Sequence, residues 1–135
     1  MANGIFSKET YACTDVTGFS FLGHLHEMLD GRWSAVIESK DIPYMEGAYR
    51  AAEEFYLTAA AQRNRNHVQE FVDFGDVSFA MEEILFDPQT SGGLLAAVDA
   101  NEAEAIIREL QAIGLPARIV GKITEKEAAE ITVRA

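Results

Sequence analysis

Two short segments concentrate the side chains able to do chemistry: Thr14-Asp15-Val16-Thr17-Gly18-Phe19 and Asp87-Pro88-Gln89-Thr90-Ser91-Gly92-Gly93-Leu94-Leu95. Each combines a carboxylate, small hydroxyls and glycine. Glycines let a backbone approach a phosphate closely, and a carboxylate nearby can hold the cation that accompanies it. Asp15 sits where a strand should end and a helix begin, between Thr14 and Thr17. There it can ligate a hard ion such as Mg²⁺, or bond local N–H groups as a turn or cap aspartate. Thr90-Ser91-Gly92-Gly93 can offer backbone N–H groups and hydroxyls to an oxyanion, or form a tight turn. Thr17, Gly18 and Asp87 are expected to shape the turns themselves.

Other reactive side chains have plainer expectations. His24 and His26 stand two apart on one predicted helix and so face different ways. With no third ligand at usable spacing, zinc is not expected. His24 is expected to pack or bond structurally. Cys13 is the single cysteine, which excludes an internal disulfide, and its strand context predicts a buried thiol. Arg63 and Arg65 flank Asn64 in what reads as a solvated polar loop.

The elements that must position these groups can be read from periodicity. Residues 10–16 read as a strand ended by Thr17-Gly18, with Thr17 capping a helix over 19–30 whose apolar stripe includes Leu22, Leu25 and Leu29. Gly31 stops it. Residues 33–38 alternate as a half-buried strand, broken by Asp41-Ile42-Pro43, and 44–55 are helical in composition. Short helices are expected within 64–74 and over 79–85. The apolar run 94–98 predicts a strand covered on both faces. Asn101 and Glu104 form a capping-box pattern opening a helix through Ile106, Leu110 and Ile113, closed by Gly114 and Pro116. Residues 117–123 and 131–133 supply the last strands. The fold class is α/β (α+β), a mixed β-sheet with helices packed against it, though pattern alone leaves strand order open.

The 135 residues suffice for one core, so residues 1–135 read as a single domain. Nothing approaches ~20 consecutive apolar residues, and the first residues lack a signal-peptide pattern, so a cytoplasmic protein with no membrane partner is expected. A net charge of −11 argues against nucleic acid, whose binding relies on Lys and Arg. The same charge means that a triphosphate must come with divalent metal or with cations from elsewhere.

Taken together, the first segment, continued through Leu22-Gly23-His24, and the second, read through Leu95, resemble the C-terminal domain of the selenophosphate synthetase family. The likeness covers most of residues 10–124. Two departures are visible: Ser20 stands where the family usually has glycine, and Thr58-Ala59-Ala60-Ala61 replaces a Gly/Pro-rich turn. The wider superfamily holds aminoimidazole ribonucleotide synthetase, thiamine-monophosphate kinase and a hydrogenase maturation protein. The wording of both segments favours the selenophosphate branch. The alternatives are another superfamily member or a non-catalytic interaction domain of the same fold.

The resemblance implies a phosphotransferase that makes selenophosphate from selenide, ATP and water with release of AMP and phosphate. It implies that this chain is the C-terminal half of a two-domain enzyme, homodimeric at full length, whose N-terminal ATP-binding domain is absent here. Asp15 matches a position that holds Mg²⁺ on the ATP phosphates. The reactive Cys or selenocysteine belongs to the other half, so Cys13 does not inherit that role and no catalytic residue is expected in this fragment.

Overall fold

A computed structural model describes residues 10–135. Its elements run β1 (Thr10–Asp15), α1 (Ser20–Leu29), β2 (Trp33–Glu38), α2 (Ala48–Glu53), α3 (Ala59–Val68), β3 (Val72–Phe74), α4 (Phe79–Phe86), β4 (Leu94–Val98), α5 (Ala103–Ala112), β5 (Gly121–Glu125) and β6 (Ile131–Arg134). Single 3₁₀ turns follow β2 and α3. The strands form two sheets. One has the order β3-β6-β2-β5, with β6 parallel to both β3 and β2 and β5 antiparallel to β2. The other is an antiparallel ribbon of β1 and β4. The α+β class and the mixed sheet agree with expectation.

The core lies where α1 meets the four-stranded sheet. Leu22, Leu25 and Leu29 recur at helical spacing and are wholly buried against Ile37, Ile131, Val133, Val68, Leu85 and Phe86. Each such side chain contributes on the order of 1.5–3 kcal/mol of burial. β2 is buried through Ser34, Ala35, Val36 and Ile37, more fully than its alternating pattern predicts, because strands flank it on both sides. Its buried polar member is satisfied: Ser34 Oγ donates to Ala129 O and accepts from Glu127 N. β5 begins at Gly121, where a Cβ would lie 2.1 Å from Val36 O. The strand begins later than the expected 117.

β4 departs from its expected double cover. Its apolar run belongs to the two-stranded ribbon, with Leu94 exposed and the rest half-buried. A run of Leu and Ala fits a half-covered ribbon as readily as a central strand. For the same reason Cys13 is exposed, not buried, since Tyr11, Cys13 and Asp15 alternate outward on β1. α5 starts without the expected capping box, as no side chain caps it, and Asp99 Oδ1 instead accepts from Asn101 N just upstream. Its apolar stripe buries Ile106 and Leu110 as expected and leaves Ile113 exposed.

The polar stretch around Arg63 and Arg65, expected as a loop, belongs to the helix α3, which begins at Ala59, ahead of the short helix expected within 64–74. Thr58 caps it by accepting from Ala61 N, and Val72 to Phe74 form a strand instead of continuing helix. Arg65 points inward, its guanidinium paired with Glu82 (2.8 Å) and Glu83 (2.5 Å) on α4 and lying 4.7 Å from the Phe86 ring centroid. Burial alone would pull this guanidinium down, but the bonds to Glu82 and Glu83 outweigh it and hold the group above its usual value. No helix among the described residues is long and apolar enough to cross a membrane.

Candidate functional site

The β1–β4 ribbon brings the two chemistry-bearing segments together. Asp15 at the end of β1 is the register partner of Leu94 at the start of β4. Beyond that pair the contact continues in the backbone: Val16 N donates to Gly93 O (2.9 Å) and Gln89 N to Thr17 O (3.0 Å). Gly92 is required by closeness, because a Cβ there would stand 2.1 Å from Val16 O. Gly93 has open space around its Cβ position. The result is one ledge, with Asp15, Thr90, Ser91, Gly92 and Gly93 all exposed along it.

The Asp15 carboxylate makes no hydrogen bond or ion pair among the described residues, whereas a cap or turn aspartate would accept nearby N–H groups. Thr14 Oγ1 donates to the Asp15 carbonyl, not to its side chain. Among the described residues no group of three or more His, Cys, Asp or Glu is gathered to hold a metal. One free carboxylate still suits Mg²⁺, which takes one or two carboxylates and completes its shell with waters and substrate phosphates.

Thr17 does not cap α1. Its Oγ1 pairs with His24 Nε2 at 3.0 Å, while its carbonyl accepts from Ser20 N to form the turn. Gly18 and Phe19 stand at the centre of that turn, as expected of Gly18, while the left-handed residue is Ser20, at φ 72°. Ser20 thus occupies a left-handed conformation that glycine adopts without strain. Burial of its side chain and an Oγ that accepts from Gly23 N offset part of that cost.

His24 is buried, bonded to Thr17, with Nδ1 3.6 Å from Glu27 and lacking a hydrogen-bond partner among the described residues. His26 faces elsewhere, pairing with Glu130 and stacking on Phe71. Asp87 follows α4 and is half-buried. Its carboxylate accepts from Thr58 Oγ1 (3.4 Å) and Gln89 Nε2 (3.2 Å). Burial pushes this carboxyl above its usual range, with Glu83 adding to the shift and the bonds from Thr58 and Gln89 opposing it.

One positioning residue escaped the sequence reading. Asn64, buried on α3, donates through Nδ2 to both Gly18 O and Phe86 O, 3.0 Å each. It latches the first segment to the end of α4, which leads into the second. A lone Asn on the buried side of a helix is its signal, masked here by the polar residues on either side of it. Arg63, next to it, is exposed.

The chain is similar over nearly its whole length to known proteins. The family model described as AIR synthase related protein, C-terminal domain, matches residues 2–134. Selenide, water dikinase of Agathobacter rectalis is 59% identical over 126 residues, covering 93% of this chain and 37% of that protein. The proteins of the same name from Desulfitobacterium hafniense (strain Y51) and Pelobacter propionicus are 41% and 44% identical, covering 92% and 91% of this chain and 36% of each. The chain therefore spans about a third of the length of these curated relatives.

Proposed function

Because the chain belongs to the family of AIR synthase related protein C-terminal domains, we propose that it is the C-terminal domain of a selenide, water dikinase. That enzyme would convert selenide, ATP and water to selenophosphate, AMP and orthophosphate, working in the cytoplasm as a homodimer. The observation that carries this reading is the ledge, where an unpaired Asp15 stands beside a glycine-rich loop held against it by backbone bonds.

In this reading the domain closes one wall of the nucleotide site. Asp15 contributes one oxygen ligand to Mg²⁺, and Thr90 to Gly93 face the phosphates with backbone N–H groups and hydroxyls. The bound metal would neutralise charge on the transferring phosphoryl groups. Gly92 sets the spacing between loop and carboxylate, and Thr17, Gly18 and Asn64 fix the turn behind them. The nucleophile, the catalytic lysine and the remaining metal carboxylates lie in the part of the enzyme beyond this chain.

The test grafts this domain in place of its counterpart in the Agathobacter rectalis enzyme and follows selenide-dependent AMP release. The graft should turn over, and this chain alone should not. Asp15→Asn should lower turnover by more than the ~10–100-fold typical of groups that only support a metal ligand. Excess Mg²⁺ should restore part of the loss, and the melting temperature should hardly change. Near-normal turnover in Asp15→Asn, with a melting shift and no metal response, would retire Asp15 as a ligand.

A further inference from the structure

Behind the first segment lies a cavity of about 480 Å³ between the start of α1 and α3. Its polar lining comes from Thr17, Gly18, His24, Arg63, Asn64 and His67. Among the described residues no Asp or Glu lines it, although the chain carries 22 of them against 11 Lys and Arg. Every ionisable group that the described residues bring to the wall is a guanidinium or an imidazole. Neither Asp15 nor the glycine-rich loop takes part, so this is a separate place from the ledge.

The wall is held in position. Arg63 and His67 are four apart on α3 and share one face. Asn64, between them, is anchored to Gly18 O and Phe86 O, which fixes that face relative to the turn. On the opposite side His24 is buried and held by Thr17 Oγ1. The volume falls within the roughly 300–1,000 Å³ of small-molecule sites. A planar guanidinium and an imidazole at the mouth suit the oxygens of a phosphoryl group, and the strongly acidic surroundings would otherwise repel it.

We infer that this cavity is an oxyanion site that takes inorganic phosphate or the phosphoryl group of a nucleotide. The inference rests on the proposed function only for where such a group would come from. Arg63 and His67 contact the oxyanion, and Asn64 is a positioning residue.

The test titrates the ¹⁵N-labelled chain, at constant ionic strength, with sodium phosphate, AMP and adenosine in separate arms and follows backbone amide shifts. Phosphate or AMP should move the amides of residues 17–19 and 63–67. Arg63→Ala and His67→Gln, both at exposed positions, should each weaken binding about 10–100-fold, the effect of removing a hydrogen bond to a charged group. Arg108→Ala, on the exposed side of α5, should leave it unchanged. Response to phosphate identifies the free ion as sufficient, and response to AMP alone identifies a nucleotide phosphoryl group. No shift in either arm, adenosine binding as well as AMP, or undiminished affinity in both variants would each overturn the inference. Asp15→Asn, run in parallel without metal, should bind phosphate normally, so failure of the metal reading would not register as failure here.

Discussion

Two neighbouring glycines in the second segment should respond to the same substitution in opposite ways. In Gly92→Ala the new Cβ would sit 2.1 Å from Val16 O, 3.1 Å from Val16 C and 3.2 Å from Val16 Cβ, where ordinary contact begins at 3.4 Å. All three atoms belong to one residue of the ledge and one of them is a backbone oxygen, so no side-chain rotation relieves the clash. The loop must retreat by more than an ångström. That stretches the 2.9 Å Val16 N–Gly93 O bond, and the 3.0 Å Gln89 N–Thr17 O bond behind it, past useful length. Two backbone bonds at about 0.5–1.5 kcal/mol each give a loss of roughly 1–3 kcal/mol. The domain should survive, since a typical stability is about 5–15 kcal/mol. In Gly93→Ala no atom of the described residues, chain neighbours aside, lies within 4 Å of the new Cβ and the backbone is not left-handed. The change should stay within about 0.5 kcal/mol. Urea melts of both variants, with amide exchange at Val16, separate the cases. In the grafted enzyme the displaced ledge should cost about 100-fold in turnover for Gly92→Ala, as a misplacement of this size can. Equal melts and equal Val16 protection in the two variants would refute the reasoning.

Arg65→Ala should destabilise by about 3–5 kcal/mol, because it strands the buried Glu83 carboxylate, whose side chain is 6% exposed. A double-mutant cycle with Glu83→Gln in denaturant melts should recover part of that loss. Leu110→Ala should cost about 2–5 kcal/mol by emptying a buried position on α5, and a change of a few tenths in a urea melt would contradict the packing. Asp87 gives a pH signature. Its carboxyl is raised in the folded state, so the folded protein binds the proton more tightly and stability falls as pH rises from the ordinary carboxylate range through the raised value. Melts of wild type and Asp87→Asn across mildly acidic pH should show the variant gaining relative stability with rising pH through that window, then holding level. A gain in the opposite direction would mean that Asp87 is stabilised as an anion.

Local pattern carried most elements because burial here is periodic. The stripe of Leu22, Leu25 and Leu29 is a helix face, and β6 alternates buried Ile131 and Val133 with less buried neighbours. The pattern failed where a polar residue stood inside or an apolar one outside. Ser34 made β2 look half-buried, and the run from Leu94 to Val98 made β4 look central. The first turns of α3 fall ahead of the helix expected within 64–74, because a polar sequence hides two inward side chains, Asn64 and Arg65, each satisfied only by partners far along the chain. The candidate site was legible as two segments. Their contact was not, because which strands pair is decided by the packing of distant elements rather than by either segment's own periodicity. Thr17 shows the same limit: its hydroxyl suited a cap, yet His24 one helical turn into α1 claims it.

The β1–β4 ribbon is separate from the sheet that shares the main core, and its strands lie far apart in the chain. Its closure carries the loop entropy of that separation while burying comparatively little. Such a unit can open and re-form while the core of α1, β2 and β6 stays folded. Foldedness of the domain and competence of its ledge are therefore distinct equilibria. Whatever docks across the ribbon gains a handle on the second without having to disturb the first.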